Sequence, residues 1–158
     1  MRSIRSLIAV ALTITALTVM VPSVSAASPR VSAASHRTHA LHVTKECSEY
    51  TGQAGSFCTF TSSNLKAIKV GAKIFYKSPA GVTGLDTDVV IRAGHGTTAT
   101  GHCVLDFGTG LGKCTFWKGT GKLKGFHASV VVSYLGGPDW AWDGTYRFSH
   151  RHRHHGHD

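Results

Sequence analysis

Phe126-His127-Ala128-Ser129-Val130-Val131-Val132-Ser133-Tyr134-Leu135, then Gly136-Gly137-Pro138-Asp139, then Trp140-Ala141-Trp142-Asp143-Gly144-Thr145-Tyr146-Arg147-Phe148, is the stretch that decides the fold. In an extended chain successive side chains point to opposite faces. Phe126, Ala128, Val130, Val132 and Tyr134 therefore share one side of the first run. Trp140, Trp142, Gly144, Tyr146 and Phe148 share one side of the second. Their opposites include His127, Ser129, Ser133, Asp143, Thr145 and Arg147. Two successive runs with one strongly apolar face, joined at Gly-Gly-Pro, predict a β-hairpin packed on a core or barrel lumen.

The same punctuation continues towards the N-terminus. Runs rich in Val, Ile, Thr and aromatics occupy Lys69–Tyr76, Asp86–Ala93, Thr97–Phe107 and Lys113–Trp117. Ser78-Pro79-Ala80-Gly81, Gly94-His95-Gly96, Gly108-Thr109-Gly110 and Gly119-Thr120-Gly121 separate them. No segment shows a 3.6-residue apolar period. Short, evenly spaced strands with turn signals predict an all-β sandwich or barrel.

The N-terminus has a different purpose. Arg2 and Arg5 precede an apolar and Thr stretch from Leu7 to Val21. Pro22 follows, and Val24-Ser25-Ala26 supplies small residues for cleavage. This is the layout of a secretory signal over residues 1–26. The apolar run is shorter than the roughly 20 residues that a spanning helix needs. The expectation is an exported, extracellular protein with no membrane span after cleavage. Residues 27–42, rich in Ala, Ser, Arg and His, read as a flexible leader, with folded sequence from about Val43 to Phe148.

Export bears on the four cysteines, Cys47, Cys58, Cys103 and Cys114. In an oxidising compartment they are expected to form two disulfides. Three pairings exist. Equal spacing within Cys47/Cys58 and Cys103/Cys114, each pair bracketing a Gly-containing segment, favours two local hairpin staples. A structural zinc site would show close C-x-x-C pairs, which are absent.

Some residues carry a resemblance. Gly119-Thr120-Gly121-Lys122-Leu123, Gly125-Phe126-His127-Ala128 and Trp142-Asp143-Gly144-Thr145-Tyr146 resemble the bacterial secreted branch of the allene oxide cyclase and dirigent-like superfamily. Lys118 stands where that family's hairpin usually has its first Gly. The resemblance covers the last third of the chain well and Thr59–Gly96 loosely. It implies an eight-stranded antiparallel β-barrel with an apolar lumen, and association as a homotrimer or other homo-oligomer. Plant relatives steer cyclisation or radical coupling of small apolar molecules, but no catalytic residue of theirs carries over to a position here.

Several chemistries are excluded by pattern. Gly108-Thr109-Gly110-Leu111-Gly112-Lys113 fails as a phosphate loop, because Phe107 stands at its first Gly position and Cys114 follows the lysine. Lys124-Gly125-Phe126-His127-Ala128 echoes an RNA-recognition strand but lacks the second aromatic, so no specific nucleic-acid binding is expected. G-x-S-x-G, H-E-x-x-H and EF-hand patterns do not occur. The formal charge of +9, from which cleavage removes Arg2 and Arg5, suits a solvated basic surface or an anionic cell-surface polymer.

Two candidate sites remain. Small eight-stranded barrels either fill their interior with side chains or hold one small ligand. The candidate ligand-binding rings are Trp140, Trp142, Tyr146 and Phe126, with Asp143, Arg147, His127 and Arg92 as candidate orienting groups. The second candidate is the basic tail, where His150, His152, His154, His155 and His157 offer imidazoles for zinc, nickel or copper. Arg151 and Arg153 oppose a bound cation. No cofactor is required by any motif. The resulting expectation is a binder of a small apolar ligand or surface partner. A cyclase-like enzyme and a metal-capturing tail are the alternatives.

Overall fold

The computed structural model describes residues 37–149. Eight strands follow in chain order: β1 (His39–Glu46), β2 (Phe57–Ser63), β3 (Lys73–Tyr76), β4 (Gly84–Arg92), β5 (Thr98–Asp106), β6 (Leu111–Gly119), β7 (Phe126–Gly136) and β8 (Asp139–Phe148). Each pairs antiparallel with the next, and β8 pairs with β1, so the sheet closes into a barrel. Closure leaves no open sheet edge, which is how all-β proteins avoid edge-to-edge association.

The hairpin of β7 and β8 follows the alternation. Phe126, Ala128, Val130 and Val132 are buried, and Trp142 is 1% exposed. The strands turn at Gly137-Pro138, where Gly137 has φ of +56°, the backbone handedness such tight hairpins favour. Tyr134 departs from the reading. The pairing slips between Tyr134 and Gly136, and the Tyr134 ring lies exposed against Trp140 instead of inside. Gly144 is dictated by proximity: a Cβ there would sit 2.1 Å from the Ser129 carbonyl oxygen.

Strand limits differ from the sequence reading where turns intrude. Lys69–Ala72 forms a turn with Gly71 at φ of +84°, so β3 begins only at Lys73. β1 begins at His39, so the leader expected over residues 27–42 gives way to strand for its last four residues. β1 and β2 have no counterpart among the sequence runs. The expected signal segment, residues 1–26, and the histidine-rich tail lie outside the described residues.

Both expected disulfides are present, Cys47–Cys58 and Cys103–Cys114. Cys103 and Cys114 are direct partners across β5 and β6 and point inward. Cys47–Cys58 ties the end of β1 to β2.

The barrel's two ends differ. At one end the loops after β2 and β6 bury Leu65, Ile68 and Leu123 in the core, and Phe126 at the start of β7 is fully buried. In the middle, Trp142 sits against Phe60 at 5.4 Å and Phe116 at 5.6 Å between ring centroids. Ring spacings in this range are favourable packing geometry. The lumen is therefore filled at its centre by these rings.

Candidate functional site at the barrel mouth

The barrel's other end carries the loops after β1, β3, β5 and β7. Its geometry begins with β1, whose inward positions read Leu41, Val43, Lys45. All three are buried, and Lys45 is 4% exposed. A lysine thus occupies the last core position before the mouth. The β1–β2 pairing shifts at this point, from Thr44 opposite Ser62 to Lys45 opposite Phe60, so Thr61 is the extra residue on β2. Such bulges bend a strand and re-aim side chains.

The Lys45 ammonium position is enclosed by rings. Its Nζ lies 2.9 Å from the Tyr76 hydroxyl. It sits 5.6 Å from the Tyr76 ring centroid, 5.6 Å from Trp140 and 5.7 Å from Trp142. The sulfurs of Cys47 and Cys58 are 3.5 and 3.7 Å away. Among the described residues no carboxylate pairs with it. Aromatic faces attract a cation, but an ion stripped of water without a counter-charge is costly. Burial wins: it lowers the Lys45 pKa to about 7. Burial, and then the neighbouring Tyr50, push the Tyr76 phenol up, so it stays protonated. Tyr50 is raised by burial too.

Above this pair lies a cavity of about 200 Å3, lined by Lys45, the Cys47–Cys58 disulfide, Tyr50, Tyr76, Leu85, Leu105, Phe107 and Trp140. The Tyr50 ring meets Tyr76 edge-on at 4.9 Å. Its hydroxyl is buried and has no hydrogen-bond partner among the described residues. The arrangement is an apolar chamber with polar atoms clustered at one place, which is the usual make-up of a small-molecule site.

The residues singled out from sequence scatter around the barrel. Trp140 lines the mouth cavity, and Trp142 lies behind it, against Lys45. Phe126 belongs to the core at the closed end, packed on Phe116, Tyr146 and Phe148. Tyr146 also stacks on His39. Asp143 faces outward and accepts a 2.7 Å hydrogen bond from His42. Arg92 lies over the Phe75 ring at 4.4 Å. His127 and Arg147 share a separate exterior depression of about 250 Å3 with Ser129 and Thr145. These four polar candidates are not gathered at one place. The five tail histidines lie outside the described residues. Within the described residues no cluster of three or more His, Cys, Asp or Glu is arranged for a metal ion. Nor is any helix there long and apolar enough to cross a membrane.

Sequence reading missed Lys45, Tyr76 and Tyr50. The one available signal was the alternation Leu41, Val43, Lys45, which puts a charge on an apolar face. Comparison with protein-family models, curated proteins and solved structures finds no match. The protein is thus defined by its architecture, a closed eight-stranded antiparallel barrel stapled by two disulfides with a buried amine at its mouth.

Proposed function

We propose that this is an exported barrel that binds a small, largely apolar molecule carrying one polar group. The chain's apolar part would occupy the mouth cavity, and its polar group would meet Lys45 and Tyr76. The carrying observation is the buried Lys45 amine at the base of an otherwise apolar chamber. A dry apolar cavity of about 150 Å3 takes benzene, so this one suits a ligand on the order of ten heavy atoms. Trp140 in the lining supplies a reporter. Titrating the exported protein with 1-octanol should change Trp fluorescence and raise the melting temperature, both saturably. Absence of either response to octanol and to octanoate would count against the reading.

A cyclase-like activity is the second reading, in keeping with the resemblance to the allene oxide cyclase and dirigent-like superfamily. It draws support from a buried amine and a buried phenol held 2.9 Å apart, since such a pair can move a proton. Turnover of a reactive apolar substrate that survives unchanged in Lys45→Met would remove it. Metal capture by the five tail histidines remains a separate proposal. Truncation after Phe148 should abolish zinc or nickel binding, and retained binding would sink it. Association into a homo-oligomer is likewise proposed from the resemblance, and sedimentation of the exported protein tests it.

A further inference from the structure

The mouth cavity holds a primary amine in a setting that ordinary ligand binding does not need. The apolar part of a ligand would need only Leu85, Leu105, Phe107 and Trp140, so the amine bears on the ligand's polar group. A lysine there costs stability, because its charged form loses water and finds no carboxylate among the described residues. A neutral amine in the same place is a nucleophile, and lysines desolvated in apolar pockets are activated in this way.

We propose that Lys45 captures a small apolar aldehyde or ketone as an imine, with Tyr76 as the hydroxyl that relays protons between nitrogen and oxygen. This rests on the binding reading above and names its ligand class. The Lys45 nitrogen lone pair forms the new C–N bond while the carbonyl π pair moves onto oxygen. One nitrogen proton passes to that oxygen through the Tyr76 hydroxyl, which gives a carbinolamine. The carbinolamine oxygen then leaves with a second nitrogen proton, carried by the same relay, as water. Amine plus carbonyl gives imine plus water, and no oxidant or reductant is consumed.

Three observations converge on it. The Nζ and the Tyr76 hydroxyl are in hydrogen-bond contact at 2.9 Å. Lys45 and Tyr76 both line the cavity, and both side chains are buried on the inward face of the barrel. Tyr50, whose hydroxyl is buried and has no hydrogen-bond partner among the described residues, lines the same chamber. Burial also keeps the amine substantially neutral near pH 7.

The test uses the exported protein with its disulfides intact. Octanal is added near neutral pH with cyanoborohydride, which traps imines and spares disulfides, and the adduct is located by peptide mapping. The expected result is one alkylated lysine, Lys45, modified about a hundredfold faster than an ordinary lysine, whose neutral fraction there is only about one in a thousand. The rate should reach half its maximum near pH 7. At saturating octanal, Tyr76→Phe should slow trapping about tenfold, and an unchanged rate would overturn the relay. Octanol serves as the unreactive companion. Octanol binding with no Lys45 adduct would overturn the imine proposal and leave the binding reading standing. No response to octanol and no Lys45 adduct would overturn both.

Discussion

The Lys45 amine and the Tyr76 hydroxyl form a 2.9 Å contact between two side chains that are each 4% exposed. They come from β1 and β3, the two strands that flank β2, so the contact bridges over β2 near the open end. It joins a cation that burial disfavours to a phenol that burial keeps protonated. Its consequences are measurable in stability as well as in binding.

Lys45→Met should raise stability near neutral pH by about 2–4 kcal/mol, since replacing a buried charge with an apolar side chain of similar size is commonly stabilising. The gain must fade as pH rises. The folded-state pKa, about 7, lies below the ordinary lysine value, so between the two the unfolded chain binds more protons and wild-type stability climbs with pH. Thermal unfolding of both proteins across that window checks this. A wild-type-to-variant gap independent of pH would show that Lys45 is not the titrating group.

The two disulfides should separate stability from binding. Replacing either pair by serine removes an eleven-residue loop closure, which costs roughly 3 kcal/mol in the loop-entropy estimate. Only Cys47–Cys58 lines the mouth cavity. Cys47→Ser/Cys58→Ser should therefore weaken octanol binding several-fold, while Cys103→Ser/Cys114→Ser leaves it close to wild type. Equal losses from both would move the binding site away from the mouth.

Trp142→Ala should cost about 3–5 kcal/mol, the usual range for emptying a large aromatic site in a core. Trp142 joins Phe60 and Phe116 at the barrel centre and also flanks Lys45. Trp117, half exposed on β6, provides the contrast, and Trp117→Ala should stay within about 0.5 kcal/mol. Urea unfolding of the two variants distinguishes a filled centre from an open lumen.

His102 should titrate above the ordinary histidine value. Its Nδ1 meets Asp88 at 2.9 Å and its Nε2 meets Asp86 at 2.8 Å. Two carboxylates on two ring nitrogens are both satisfied only by the imidazolium, which donates from each. The Asp88 hydrogen bond is the larger cause of the upward shift, and Asp86 adds to it. A raised folded-state pKa means that the stabilising contribution is full below the unfolded value and is lost as pH rises through the folded one. Imidazole NMR should give a midpoint above 6.5 that falls towards 6.5 in Asp88→Asn. A midpoint at or below 6.5 in the wild type would contradict the contacts.

The final hairpin and the disulfide pairing were legible in the chain because both depend on local spacing. Period two needs only the residues of one strand, and an eleven-residue interval needs only two cysteines. The first two strands were not legible. β1 mixes His39, His42 and Lys45 with Leu41 and Val43, and β2 is short and hydroxyl-rich after Phe60. Their number was supplied by family resemblance, not by alternation. Tyr134 was misplaced because a pairing slip next to a turn turns the last ring outward. The mouth was hidden for a deeper reason. Lys45 meets Trp140 only because β1 closes the barrel onto β8, and it meets Tyr76 only over the intervening β2. Closure is a property of the whole sheet, so no single segment announces it.

The most direct test of the account is an NMR titration of the protein, its disulfides intact, carrying 13C at the lysine ε position, with Lys45 assigned through Lys45→Met, in the absence and presence of octanol. The account predicts that the Lys45 signal titrates with a midpoint of about 7 and shifts saturably on octanol addition. A Lys45 midpoint near the ordinary lysine value of about 10.4, or a signal that ignores octanol, would contradict a buried amine serving a ligand cavity at the barrel mouth.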